Sequence, residues 1–402
     1  MHSVLFIGHE ASRTGAPISL LNTVRELASR GEACKVILMR GGPLVDDYTD
    51  ICETMVVRNI GQKSLLPQSS SIVVREMRRI TSYVFSVGGW FIGWPRVRML
   101  LKGITASTVD CAYLNSAVSC SMILRMKMLN IPVITHIHEL QFGFLQSGHP
   151  DDLALMLSYS SRIIVPSKTV SDYLQMSHGV PIEKIVVLPE AVVDPLPLAT
   201  KDAAVIRQEE GINPGEIVIA MAGTIDWRKG IDLFIALARR LAPLLPNARF
   251  MWIGAGAYHQ AFMNTWKNLY GIDDALAQRF IFTGERTDVA SLLSIIDIFA
   301  LTSREDPCPL VHMEAAMLRK PVVCFAGTGG ATEWVEKAGA GTVVGYQDTA
   351  AMADAIRNII SNPERRRLMG EAARRHMMEH CSLSSVVDGV QKVIDVVVHE
   401  RA

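Results

Sequence analysis

The feature that most restricts the fold is a repeated alternation of short, β-branched-rich apolar runs with longer amphipathic stretches, sustained from Val4 to about Gly345. A strand buried on both faces reads as a continuous apolar run, and parallel strands need a crossover of a dozen or more residues, usually a helix. The alternation therefore predicts parallel sheets with helices on both faces. In the first half the predicted strands are Val4 to Gly8, Lys35 to Met39, Cys111 to Asn115, Val133 to His136, Arg162 to Val165 and Lys184 to Leu188. The second half repeats the pattern at Ile217 to Ala222, Arg249 to Ile253, Arg279 to Thr283, Ile298 to Thr302, Val322 to Phe325 and Thr342 to Gly345. A chain of 402 residues exceeds the size at which one core keeps growing. The fold expected is thus α/β, two doubly wound Rossmann-like domains facing a central cleft. The first would span 1–190 and the second 191–383, with a Pro-containing linker at Ala191 to Pro214 and a last helix, within 384–402, returning to the first domain.

Composition limits the partners. Lys+Arg and Asp+Glu both total 40, so there is no global bias toward nucleic acid and any anion site must be local. The seven cysteines never occur as C-x-x-C, which argues against a zinc ribbon and a disulfide framework and suits a reducing cytoplasm. Val4 to Gly8 reads as a first strand rather than a secretory leader. One stretch departs from the scheme: Ile80 to Pro95, 16 uncharged residues with Trp90 and Trp94, is flanked by basic residues. It is short for a bilayer span. Two readings stand, an interfacial segment on the inner face of the membrane and a buried pair of helices.

In such sheets ligands bind beyond the carboxyl ends of strands, where helix N-termini present free N–H groups. Three loops at these places carry polar residues. His9 to Pro17 includes Gly15, where backbone can approach a phosphate; a plain turn explains it as well. Gly223 to Gly230 places Arg228 and Lys229 before a helix, as a diphosphate site or as a solvated pair. Thr302 to Ala316 carries Asp306 and Glu314, followed by Lys320-Pro321-Val322-Val323 and the Gly327-Thr328-Gly329-Gly330 loop. Asp306 could also be a helix cap and Glu314 an ordinary helix residue.

The last segment resembles the Glu-x7-Glu signature of retaining glycosyltransferases of family 4, which have the GT-B architecture, with Asp306 at the first acidic position and Glu314 at the second. Pro309-Leu310-Val311 and Lys320 to Val323 resemble the same family, over about Gly223 to Gly345. Gly15-Ala16-Pro17 and His138-Glu139 match it more loosely in the first half. The resemblance implies that Glu314 accepts ribose hydroxyls and that Lys229 and Arg228 neutralise a diphosphate. It further implies that Gly329, Gly330 and Gly15 offer backbone donors, that Leu310 and Val311 line the donor site, and that Asp306 and His138 meet the transferred sugar. An Arg common in the family after the glycine at 223 is replaced by Thr224, so Arg228 is the candidate substitute. A structural histidine is the alternative for His138.

No D-x-D triplet occurs, so no metal and no cofactor are expected, and cations with helix dipoles take a metal's place. His376 and His380 have metal-ligand spacing but read as an ordinary helix face. The expected activity is sugar transfer with retention from a nucleoside-diphosphate sugar to a glycan, lipid-linked or other hydroxyl acceptor, in cell-surface polysaccharide or glycoconjugate synthesis. Double displacement through Asp306 is the alternative route. A nicotinamide oxidoreductase is disfavoured because no G-x-G-x-x-G follows a strand. A sugar-nucleotide epimerase or hydrolase and a noncatalytic binding protein are the rival readings.

Overall fold

The computed structural model describes residues 1–58, 103–194, 202–256 and 259–401. The aromatic run Ile80 to Pro95 and linker residues 195–201 lie outside the described residues. Among the described residues, thirteen strands form two sheets. The first contains β1 (Ser3–Gly8), β2 (Ala33–Arg40), β3 (Glu53–Arg58), β4 (Cys111–Asn115), β5 (Val133–His136), β6 (Arg162–Val165) and β7 (Ile185–Val187) in the order β3-β2-β1-β4-β5-β6-β7. The second contains β8 (Ile217–Ala222), β9 (Ala248–Ile253), β10 (Phe280–Phe282), β11 (Ile298–Leu301), β12 (Val322–Phe325) and β13 (Gly341–Val344) in the order β10-β9-β8-β11-β12-β13.

Both orders reverse direction once, between β1 and β4 in the first sheet and between β8 and β11 in the second. That reversal is the topological switch point of a doubly wound sheet, so two Rossmann-like folds are present. The central strands are fully buried, which is why their sequences run apolar without alternation: Val4, Leu5, Phe6 and Ile7 in β1 and Phe299, Ala300 and Leu301 in β11 have no exposed surface. β3 was not expected. It is an edge strand in which Glu53 is exposed and Thr54, Met55, Val56 and Val57 are half-buried, so it lacks the long, fully buried apolar run that marks the others.

The chain divides into two compact units. One comprises Met1–Ile137, Phe144–Ile164 and Gln391–Ala402; the other comprises His138–Gly143 and Val165–Val390. The end of the helix Leu383–Arg401 thus belongs with the first unit, where Arg401 donates to the carbonyls of Val109 and Asp110. Among the described residues no helix is long and apolar enough to cross a membrane.

Helix starts separate into two kinds. The helices Pro150–Tyr159, Lys168–His178, Thr349–Ile360 and Pro363–His380 each have a side-chain acceptor at the cap: His149, Ser167, Asp348 and Asn362. The helices Gly15–Ser29, Ile231–Leu241 and Leu310–Met317 follow β1, β8 and β11, and have no side-chain cap. Their first N–H groups carry the positive end of the helix dipole with no cap side chain to satisfy it, although in the Ile231–Leu241 helix the Asp232 carboxylate, within the first turn, accepts from the Asp232 and Leu233 N–H groups. All three stand at the switch points, where a ligand is expected.

Candidate functional site

In the second unit, the loops leaving β8 and β11 meet because those strands are neighbours in the sheet. The β8 loop, 223–230, is shaped by Asp226, whose carboxylate accepts from the Lys229 N–H at 2.8 Å and from the Thr224 hydroxyl at 2.5 Å. It ends on Gly230, at φ 73° and so close to the Thr302 carbonyl that a Cβ would lie 2.1 Å from its oxygen. Only glycine fits both constraints. This seats the start of the Ile231–Leu241 helix directly against the β11 loop.

Asp306 is the hub between the two loops. Its carboxylate accepts from Lys229 Nζ at 2.5 Å, Ser303 Oγ at 2.9 Å and, at 3.4 Å, Arg228 Nη1, which also donates to the Glu305 carbonyl. The Lys229 and Asp306 side chains are only 11% and 6% exposed. Burial by itself would raise the Asp306 pKa, but the charges of Lys229 and Arg228 outweigh it and hold the carboxyl below its usual range. Asp306 is therefore an ionised partner of the two cations and not a helix cap; that position belongs to Pro309. The three groups together retain one net positive charge.

Glu314 has the opposite surroundings. It lies within the Leu310–Met317 helix, no described residue donates to its carboxylate, and burial raises its pKa. A shielded carboxylate without donors is an acceptor waiting for hydroxyl groups, since leaving it unsatisfied is costly. Leu310 and Val311, half-buried, form the first turn of the same helix.

The glycine loop is tied to this site through its backbone. At Gly329, φ 146°, a Cβ would lie 1.7 Å from the Asp306 carbonyl oxygen. The Asp306 N–H donates to the Thr328 carbonyl at 2.7 Å, and the Gly330 N–H donates to the Pro307 carbonyl at 2.8 Å. Gly330, expected as a backbone donor to a ligand, thus has its N–H engaged within the loop. The requirement for glycine here is steric closeness.

Several participants carry no recognisable motif. Arg304 makes a two-point ion pair with Asp232, at 2.8 and 2.5 Å, donates to the Trp227 carbonyl and lies 5.1 Å from the centre of the half-exposed Trp227 ring. It pins the start of the Ile231–Leu241 helix to the β11 loop. Glu305 accepts the Phe142 N–H through both carboxylate oxygens, at 3.0 and 3.1 Å. Glu190 is 2.5 Å from His138 Nδ1, with side chains 6% and 9% exposed. Burial would lower the His138 pKa, yet the adjacent Glu190 raises it above its ordinary value. Alternation from strand to strand contains no signal for any of these pairs.

In the first unit the matching switch point holds Gly15 as the first residue of its helix, after the uncapped Thr14. Asn115, at the end of β4, donates to the Ala16 carbonyl at 3.0 Å and secures that start.

Comparison with known proteins bears on the fold that carries these loops. Residues 13–194 match the family described as Glycosyltransferase Family 4, and residues 202–376 match Glycosyl transferases group 1. The Alpha-galactosylglucosyldiacylglycerol synthase of Streptococcus pneumoniae is 26% identical over 48% of this chain and 61% of its own length. The chain thus spans less than two thirds of that relative. The Alpha-D-kanosaminyltransferase of Streptomyces kanamyceticus is 24% identical over 91% of this chain and 95% of its own. Among solved structures, Anabaena HepE in complex with UDP and glucose superposes with a TM-score of 0.74 at 18% identity, covering 98% of this chain and all of that one. The sucrose-phosphate synthase of Thermosynechococcus elongatus superposes with a TM-score of 0.75 at 19% identity over the whole of both chains. Two glycosyltransferase family models thus match the two halves of the chain in order, and the fold is the GT-B fold of these solved structures, two Rossmann-like domains.

Proposed function

We propose that the protein transfers a sugar from a nucleoside-diphosphate sugar to a hydroxyl of a glycan or lipid-linked acceptor, with retention at the anomeric carbon and without a metal. The observation that carries this reading is the contrast at the second switch point. The uncapped start of the Leu310–Met317 helix and the Arg228–Lys229 pair offer positive charge, and within that helix Glu314 lies half-buried with no donor among the described residues. A nucleoside diphosphate supplies what each lacks: phosphates for the cations and N–H groups, ribose hydroxyls for the carboxylate. Leu310 and Val311 offer their first-turn N–H groups and apolar surface to the same ligand.

Asp306 takes part through the cations. A carboxylate already accepting from Lys229, Arg228 and Ser303 is a poor nucleophile, so double displacement through it is disfavoured. The favoured route is attack by the acceptor hydroxyl from the face the phosphate leaves, the departing phosphate oxygen taking the acceptor proton. Positive charge at Arg228 and the helix starts stabilises that phosphate as the bond lengthens. His138, kept basic by Glu190, is assigned to a hydroxyl of the transferred sugar. Gly15, at the first unit's uncapped helix, is assigned a backbone contact to the donor.

We place the enzyme in the cytoplasm, at the inner face of the membrane, in cell-surface polysaccharide or glycoconjugate synthesis. The glycolipid synthase among its relatives supports an acceptor of that kind. Calorimetric titration of UDP, GDP and ADP, with and without a chelator, tests the donor half. One nucleotide should bind equally well in both conditions and raise the melting temperature. Binding abolished by the chelator refutes the metal-free reading. Transfer assays with the matching sugar nucleotides and NMR of the product anomer then test transfer and retention, and an inverted product sinks the latter.

A further inference from the structure

The Leu310–Met317 helix poses a problem that its cap does not solve. A Ser or Asp at the cap would steady the first turn by accepting its N–H groups, but those are the groups an anion needs. Pro309 at the cap has no side chain to accept them, and of the first three only the His312 N–H is engaged, by the Pro309 carbonyl at 3.3 Å. Something else must hold the turn, and His312 does so from the carbonyl side.

The His312 side chain has no exposed surface. Its Nδ1 contacts the Pro309 carbonyl, the oxygen at the cap, and its Nε2 lies 3.2 Å from the Trp334 indole nitrogen. A carbonyl only accepts and an indole N–H only donates. The two neighbours therefore prescribe one proton arrangement: Nδ1 carries the hydrogen and Nε2 offers its lone pair. A proton on Nε2 would face the indole hydrogen head on. Burial, which pushes the His312 pKa down to about 4, works in the same direction.

The anchor is itself braced. Trp334 closes the short helix Ala331–Trp334 immediately after the glycine loop, and its ring stacks on His312 at 5.6 Å and 28°. On Trp334 also stacks His376 of the Pro363–His380 helix, at 5.2 Å and 10°. Glu314 lies two positions beyond His312, about 200° around a helix, so His312 faces the interior while Glu314 faces another way.

We propose that His312 is a positioning residue of the donor site: as the Nδ1–H tautomer bridging Pro309 and Trp334, it fixes the first turn of the 310–317 helix to the segment after the glycine loop while leaving the Leu310 and Val311 N–H groups free for phosphate. This rests on the transferase reading, and names the device that keeps its anion site open yet rigid.

The test uses the full-length chain with nitrogen-labelled histidine and the nucleotide among UDP, GDP and ADP that it binds. Long-range proton–nitrogen NMR should show His312 as the Nδ1–H tautomer, unchanged between about pH 6 and 8. His312→Leu should weaken nucleotide binding about tenfold. His312→Asn, which keeps a donor near the Nδ1 position, should recover most of that loss. Trp334→Phe, which keeps the ring and removes the N–H, should weaken binding and free the tautomer equilibrium. An Nε2–H tautomer in the parent overturns the proposal, as does a folded His312→Leu with parental affinity. If His312→Leu does not fold, parental affinity and tautomer in Trp334→Phe overturn it equally. A parent that binds none of the three nucleotides defeats the transferase reading, and this inference with it; variants that match a binding parent defeat the inference alone.

Discussion

The loop after β11 and the helix that follows it hold the two acidic positions of one short signature, eight residues apart, and treat them in opposite ways. In the loop, Asp306 is surrounded by Lys229, Arg228 and Ser303 and is held ionised. In the helix, Glu314 has no donor among the described residues, and burial favours its neutral form. The difference teaches that identical chemistry in a motif can serve two ends. One carboxylate completes the fold by joining two strand ends. The other is left incomplete by the fold, and a group left unsatisfied in a native site is where a ligand is expected.

The strongest challenge to this contrast is Asp306→Ala. It leaves Lys229 buried beside no counter-ion, and should cost about 3–5 kcal/mol of stability in urea titrations. Adding Lys229→Met should restore part of the loss, because the double variant removes the unpaired charge. A single variant as stable as the parent would show that Asp306 is no hub.

Glu314→Gln should move two measurements in opposite directions. Nucleotide affinity should fall by about 1.5–3 kcal/mol, as a charged acceptor is lost. The melting temperature of the nucleotide-free protein should rise, since a half-buried, partly desolvated carboxylate is replaced by a neutral amide. A drop in both would mean that Glu314 supports the fold, and the contrast with Asp306 would collapse.

Gly329→Ala probes the backbone beneath both positions. A methyl group would meet the Asp306 carbonyl, at a φ that other residues rarely adopt, so a loss of about 1–3 kcal/mol is expected by thermal unfolding. Gly327→Ala is the control: its φ is 72°, but open space surrounds it, so it should cost less.

The smallest effect is in the pH dependence. The Glu314 pKa is raised in the folded chain, so its contribution is fully present below the ordinary 4.5 and is lost as pH rises through the folded value. Asp306 is depressed, so its contribution is present above the ordinary 3.8 and is lost as pH falls through its folded value. Urea midpoints measured across the acid range should decline with rising pH just above 4.5 in the parent, and that decline should vanish in Glu314→Gln. Its persistence in the variant would assign it to another group.

How much of this was readable from sequence depends on the distance over which each feature is encoded. Strands buried on both faces announce themselves as apolar runs, so all except the edge strand β3 were legible, and so was the α/β class. The glycine loop 327–330 and the Asp306–Glu314 spacing were also legible as a local motif, whereas the close backbone approaches that require glycine at 230 and 329 were not. The partners were not. Lys229 and Asp306 are 77 residues apart, and they meet only because β8 and β11 lie side by side in the sheet. Glu190 reaches His138 across 52 residues, and Trp334 reaches His312 across 22. Hydrophobic periodicity reports which face of an element is buried, whereas ion pairs and tautomers depend on which strand ends become neighbours. The sequence alone therefore determined where polar groups would gather, and the tertiary structure decided which of them are already satisfied and which remain open to a ligand.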